Sequence, residues 1–224
     1  MSEQSAKSRA RGRDVYETLR RAILHGEYEQ SSALRPQQIA SELEVSLAVV
    51  RESLLRLVGE GLAVRLPNRG FAVPAQDATR WQQIAEARVL TEPVALRLAI
   101  ERGDLRWESR VRSAHHLLSR LPPYDEDGQV SEEWSRAHRD FHRAILEGGG
   151  NGVLLETFDR MWTASELARR WSVVSTPHRD VAHEHLLLEE AALARDADAA
   201  CAVLVRHLSL TAAALTHGPD DAKA

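Results

Sequence analysis

Apolar residues return every third or fourth position along almost all of this 224-residue chain, and the clear exception is one short stretch built for a hairpin. That pattern confines the chain to a mainly α fold with a single small β element. From Asp14, a good first-turn cap, Val15, Leu19, Ala22 and Ile23 hold one face of a helix that ends near His25 and Gly26. Pro36 suits the first turn of a second helix carrying Ile39 and Leu43, and Ser46 suits the N-cap of a third running to about Glu60, where Gly61 stops it. Two β-like pieces, Ala63 to Leu66 and Phe71 to Val73, flank the turn formers Pro67-Asn68-Arg69-Gly70. Three helices and a hairpin predict a winged helix-turn-helix over residues 14–75.

Beyond Pro74, breaks at Gly103, Pro122-Pro123, Gly148 to Gly150, Pro177 and Asp196 divide the chain into helices. Six are predicted: Thr79 to Arg102, Trp107 to Leu121, Ser131 to Glu147, Gly152 to Ser172, Pro177 to Arg195 and Ala197 to His217. They form an all-α antiparallel bundle over residues 76–218, with Leu121 to Val130 as a mobile connection. Residues 1–13, polar and carrying Lys7, Arg9, Arg11 and Arg13, are expected to be a flexible basic tail, and residues 219–224 a short second one.

Composition narrows the classes. With 43% apolar and 28% charged residues the chain can bury a core, which excludes wholesale disorder. No apolar run reaches the roughly 18 to 20 residues of a membrane span, and the polar start offers no signal-peptide core, so a cytoplasmic protein without a membrane partner is expected. The lone Cys201 excludes a disulfide framework and a multi-cysteine zinc site. The net charge of −4 hides an asymmetry: residues 1–76 hold 11 basic against 9 acidic side chains, and the remainder 18 against 24. A polyanionic partner is therefore compatible with the first part and disfavoured for the second.

Arginine placement sharpens this. Arg51 projects from the early third helix, Arg65 and Arg69 flank the hairpin turn, and Arg35 opens the second helix, all positions from which guanidinium groups can meet phosphates or base edges. The helical part poses a different question through its histidines. His138 and His142 lie four apart on the face of Trp134, Phe141 and Ile145; His185 shares a stripe with Val181, Leu188 and Ala192, and His207 one with Val203, Leu210 and Ala214. Three helices thus aim imidazoles at a core, where a divalent metal would satisfy them. His183 points away from His185; His115, His116, His178 and His217 are expected at the surface, Asn151 as a helix cap, and Trp81, Trp134 and Trp162 as packing.

The stretches VYETLRRAILHGEY, LRPQQIASELEVS, VRESLLRLVGEGL and PNRGFAV resemble the winged helix of GntR-type bacterial transcription regulators. With FHRAIL-EGGGN and the later EH and RHL elements, the helical remainder resembles the FCD effector domain of their FadR-like branch, over about Asp14 to His217. The resemblance implies a homodimer on a near-palindromic double-stranded DNA operator, repression relieved by a small carboxylate or sugar acid, and DNA contacts from Arg35, Ser46, Leu47, Ala48, Arg51, Arg65, Asn68, Arg69 and Gly70. It implies a metal held by an Asp and three His, with His142, His185 and His207 on the His positions and His138 on the Asp position. An all-nitrogen set favours zinc or nickel. Arg88 falls where the family meets an effector carboxylate, although Glu92, four residues on, is an alternative partner.

Departures are equally specific. The family's Gly-Val-Ser-Arg-Thr-Pro-Val-Arg-Glu is here Glu44 to Glu52, so Leu47-Ala48 replaces the Arg-Thr pair that meets DNA, and Gln37 replaces a basic residue of the second helix. Apolar contact with thymine methyls would suit Leu47 and Ala48; a sensor with weakened DNA binding is the other reading. A metalloenzyme using the histidines is disfavoured, because Arg139 follows His138 where a metalloprotease needs its glutamate, and no phosphate loop or nucleophile elbow is present.

Overall fold

In a computed structural model, the backbone is described for residues 3–67, 70–75, 78–175 and 179–216, and side chains for 14–67, 70–75, 79–170 and 179–213. The chain divides into two compact units, residues 1–77 and 78–224. Asn68, Arg69, His178 and His217 lie outside the described residues.

The first unit contains α1 (Glu3–Leu24), β1 (Ala33–Leu34), α2 (Pro36–Glu42), α3 (Leu47–Gly59), β2 (Val64–Leu66) and β3 (Gly70–Ala72). Segment 3–13 is helical backbone rather than the expected flexible tail: its Ala, Gln, Lys and Arg are strong helix formers, and no proline interrupts them. Ser46 caps α3 as its sequence position implies, with Oγ accepting from the Val49 N–H at 3.4 Å. The hairpin gains a strand that periodicity missed. β1 pairs antiparallel with β3 opposite β2, in the order β1-β3-β2. Two residues are too few to show a period. Val15, Leu19, Ile23, Ile39, Val50, Leu54, Leu57 and Phe71 are all buried, and α3 packs against α1 and α2.

The turn between α2 and α3 holds Glu44 at φ +51°, in the left-handed region that favours glycine.

Seven helices, not six, follow among the described residues: α4 (Ala78–Arg102), α5 (Leu105–Arg120), α6 (Glu132–Glu147), α7 (Gly152–Ala164), α8 (Glu166–Ser175), α9 (Val181–Leu193) and α10 (Ala197–Thr216). The extra one arises where Gly152 to Ser172 was expected to be continuous. The Ser165 N–H closes α7 on the Met161 and Trp162 carbonyls; Ser165 Oγ also donates to both and Arg169 Nη1 to Trp162 O at 2.6 Å, so the Trp162 carbonyl is occupied at the break. No glycine or proline announces the break.

Leu96, Ala99, Trp107, Phe141, Ile145, Phe158, Leu188, Ala200 and Leu204 form the core of this bundle. Trp107 is wedged so closely that a Cβ on Gly103 or Gly148 would lie 2.4 or 2.8 Å from its ring, so both glycines are required by contact rather than by turn geometry. The connection after α5 is tied to itself: Asp125 Oδ1 accepts from the N–H groups of Asp127 and Gln129, and Tyr124 pairs with Val130. Among the described residues no helix is long and apolar enough to cross a membrane.

Candidate metal centre and nucleic-acid interface

Helix α6 carries Trp134, Ala137, His138, Phe141, His142 and Ile145 on one buried face, as the spacing requires. Helix α9 adds His185 and α10 adds His207, both buried. The α10 stripe runs through Ala200, Leu204, His207 and Leu208; Leu210, expected inside, is exposed. The four imidazoles converge until one ring nitrogen from each lies within 4.8 Å of the others, and His142 Nε2 is 3.3 Å from His185 Nε2. Two nitrogens bound at about 2.0–2.1 Å to one tetrahedral zinc stand about 3.4 Å apart, so this pair already has a ligand spacing, and the others need to draw inward.

The protonation chemistry agrees. Burial pushes His138, His142 and His185 far below the usual imidazole range, with the neighbouring histidines as the next cause for His138 and His142. His207 is lowered by burial too, against the opposing pull of Glu184. Neutral imidazoles with free lone pairs are the form that binds metal. His138 Nε2 is buried with no hydrogen-bond partner among the described residues, a lone pair that a bound cation would satisfy.

His207 is oriented from behind. Its Nδ1 lies 2.8 Å from Glu184 Oε2 and 3.2 Å from Arg179 Nη2. A carboxylate only accepts, so Nδ1 carries the proton and Nε2 keeps its lone pair toward the other histidines. Burial alone would raise Glu184, but hydrogen bonds from Arg179 and His207 outweigh it and bring its pKa down to about 2. That carboxylate is ionised at any physiological pH.

Beside the cluster lies a small cavity of about 30 Å³, room for roughly one water, lined among others by Arg88, Trp134, His138, Trp162, Arg169 and His207. Arg88 is buried and bound to Glu92, Nε to Oε1 at 2.5 Å, so the pairing with Glu92 and a place in the cavity hold together. Arg169 stacks 3.8 Å over the Trp162 ring, and burial with the nearby Arg88 holds its pKa well below an arginine's usual range. Arg170 pairs with Glu132 and Arg179 with Glu184. Sequence reasoning missed Arg169, Arg170 and Arg179, and it read Trp134 and Trp162 as packing only. The signal lay in Trp162 and Arg169, seven apart and so on one face of the continuous helix that the sequence predicts there.

His115 corrects another expectation. It is buried rather than at the surface, because Glu189 takes its Nδ1 at 2.5 Å. His116 and His183 are exposed. Asn151 caps α7, accepting from the Leu154 N–H.

In the first unit, a groove of about 620 Å³ is lined by Arg35, Gln37, Arg51, Arg65 and Gly70 together with Pro36, Leu66 and Phe71. All three arginines are exposed, and no ion pair holds them among the described residues. Ser46, Leu47 and Ala48 are exposed at the start of α3, and Leu55 continues the stripe of Leu47 and Arg51. The structure thus brings together Arg35, Arg51, Arg65 and Gly70; Asn68 and Arg69 fall outside the described residues.

Comparison with known proteins agrees with both halves. Residues 11–73 match the gntR family of bacterial regulatory proteins and residues 83–210 the FCD domain. An uncharacterized HTH-type transcriptional regulator BphR of Paraburkholderia xenovorans is 33% identical over 87% of this chain and 80% of its own. The HTH-type transcriptional repressor GlaR of Escherichia coli is 31% identical, covering 87% and 91%. Among solved structures, E. coli McbR/YncC aligns with a TM-score of 0.71 at 21% identity over 92% of this chain and 97% of that one. A GntR regulator from Rhodococcus aligns at 0.72 and 22%, over 92% and 98%, and both share the fold. The families and relatives matched are regulators, not enzymes, and the chain belongs to the GntR family of DNA-binding transcription regulators, with an FCD domain behind its winged helix.

Proposed function

We propose that this regulator is a repressor whose winged helix, residues 14–75, leaves its operator when a small carboxylate or sugar acid binds at a divalent metal in residues 76–218. The observation that carries the reading is the cluster of four buried histidines sharing a cavity wall with Arg88 and Arg169. A metal there supplies positive charge for a carboxylate, and a forked guanidinium adds directed hydrogen bonds. An all-nitrogen donor set points to zinc or nickel. The repressor GlaR, at 31% identity, supports the direction of control.

On DNA, Arg51 at the start of α3 meets base edges in the major groove while Arg35 and Arg65 hold phosphates. Ser46, Gly70, Asn68 and Arg69 complete that face, with Leu47 and Ala48 against thymine methyls. Two copies act together; the exposed Leu90 and Val94, one turn apart on α4, give apolar surface for a homodimer. Release follows if the acid binds more tightly to the conformation that fits DNA less well.

The test selects an operator from a random duplex pool with the full-length protein, then follows its binding by fluorescence anisotropy against a panel of small acids, with zinc or nickel and after chelation. Release by an acid only in the presence of metal is expected. Operator binding indifferent to every acid with metal present would overturn the reading.

A further inference from the structure

A second cavity, of about 390 Å³, lies against the same wall. Its lining includes His185, and it shares Trp134, Arg179 and Val181 with the small cavity that reaches His138 and His207. The histidine cluster therefore stands at the junction of a space for one water and a space in the range that takes small-molecule ligands. The walls of the larger cavity are mostly apolar: Leu118, Leu121, Pro123, Tyr124, Val181 and Ala182.

We infer that the two cavities are one ligand site, and that the effector is an elongated acid whose carboxylate head sits by the histidines and arginines while an apolar body of several carbons lies in the larger cavity. This rests on the proposed effector role of the histidine site and adds the size and polarity of the ligand. A two- or three-carbon acid with its carboxylate at the histidines would leave most of the apolar walls uncovered. Arg179 belongs to both cavities and is fixed by Glu184, so it marks the passage between head and body.

Calorimetry on the full-length protein loaded with zinc, and separately with nickel, tests this with straight-chain acids from acetate to octanoate. Burying each methylene should strengthen binding about fourfold, so hexanoate should bind on the order of a hundredfold more tightly than acetate. Ala182 and Ser119 are exposed positions on the rim of the larger cavity, where a tryptophan can enter it without disturbing the core. Ala182→Trp, and independently Ser119→Trp, should bring the ratio of hexanoate to acetate affinity down to nearly one. Equal affinity for acetate and hexanoate in the unmodified protein overturns the elongated ligand but leaves the effector reading standing. So does a hexanoate preference that survives both substitutions. If no acid binds at any length to the metal-loaded protein, the effector reading itself fails, and this inference with it.

Discussion

The two units use arginine in opposite ways. In the winged helix, Arg35, Arg51 and Arg65 are exposed around one groove and unpaired among the described residues, so their charge is free for a polyanion and screened by salt. In the helical unit, Arg88, Arg169 and Arg170 are buried, stacked or paired, and Arg179 is held by Glu184; their geometry is fixed before any ligand arrives. The first arrangement suits a large partner recognised by summed charge. The second suits a small one recognised by position.

The sharpest way to break this contrast is at the histidines. His142→Ala removes a buried nitrogen at the centre of the cluster and should weaken zinc binding by more than about a hundredfold, since even outer partners of metal ligands are worth about 10–100-fold; competition with a chelating dye reads this directly. Next, Arg51→Ala should weaken operator binding by about 10–100-fold and flatten the salt dependence by roughly one ion. Alanine at the buried Arg88 should leave that salt dependence unchanged. Equal effects on the salt slope would erase the distinction between the two arginine sets. Glu184→Gln should cost about tenfold in metal affinity, because the neutral amide orients His207 less strongly.

Acid provides a test without mutation. Burial depresses the four imidazoles, so the unfolded chain binds protons that the folded chain refuses. The metal-free protein should have its full stability above about pH 6.5, the unfolded imidazole value. It should lose about 1 kcal/mol per imidazole for each pH unit below that, until the folded values are reached. Urea midpoints at pH 8 and pH 5.5 measure it; a flat profile means the histidines are solvated. The smallest effect belongs to the winged helix. Glu44→Gly relieves the left-handed backbone at φ +51° and should add about 0.5–1 kcal/mol of stability without touching either site. A loss of stability there would show that the glutamate side chain matters more than its backbone.

How much of this was legible in the sequence depends on whether the signal was periodic. The imidazoles could be found because His138, His142, His185 and His207 each replace an apolar residue on a helical stripe. Arg51 was legible because Ser46 fixes the register of α3. The break at Ser165 was not, since the Ser165 hydroxyl and the Arg169 guanidinium join the Ser165 N–H on the last carbonyls of α7, and no local composition marks it. On one long helix only the seven-residue spacing of Arg169 from Trp162 hints at its burial, and nothing local marks Arg170. His115 was hidden for a related reason: its partner Glu189 lies 74 residues away, beyond the reach of any local pattern. The two-residue β1 exists only because β3 is there to pair with it.

The central claim, that the histidine cluster is a metal centre, is tested most directly by equilibrium dialysis of the full-length protein against zinc and against nickel, with metal per chain counted by mass spectrometry. The account predicts one tightly held ion per chain in the unmodified protein and none in His142→Ala folded to the same helical content. A folded, unmodified protein that retains no ion, or a His142→Ala variant that retains as much, would contradict it.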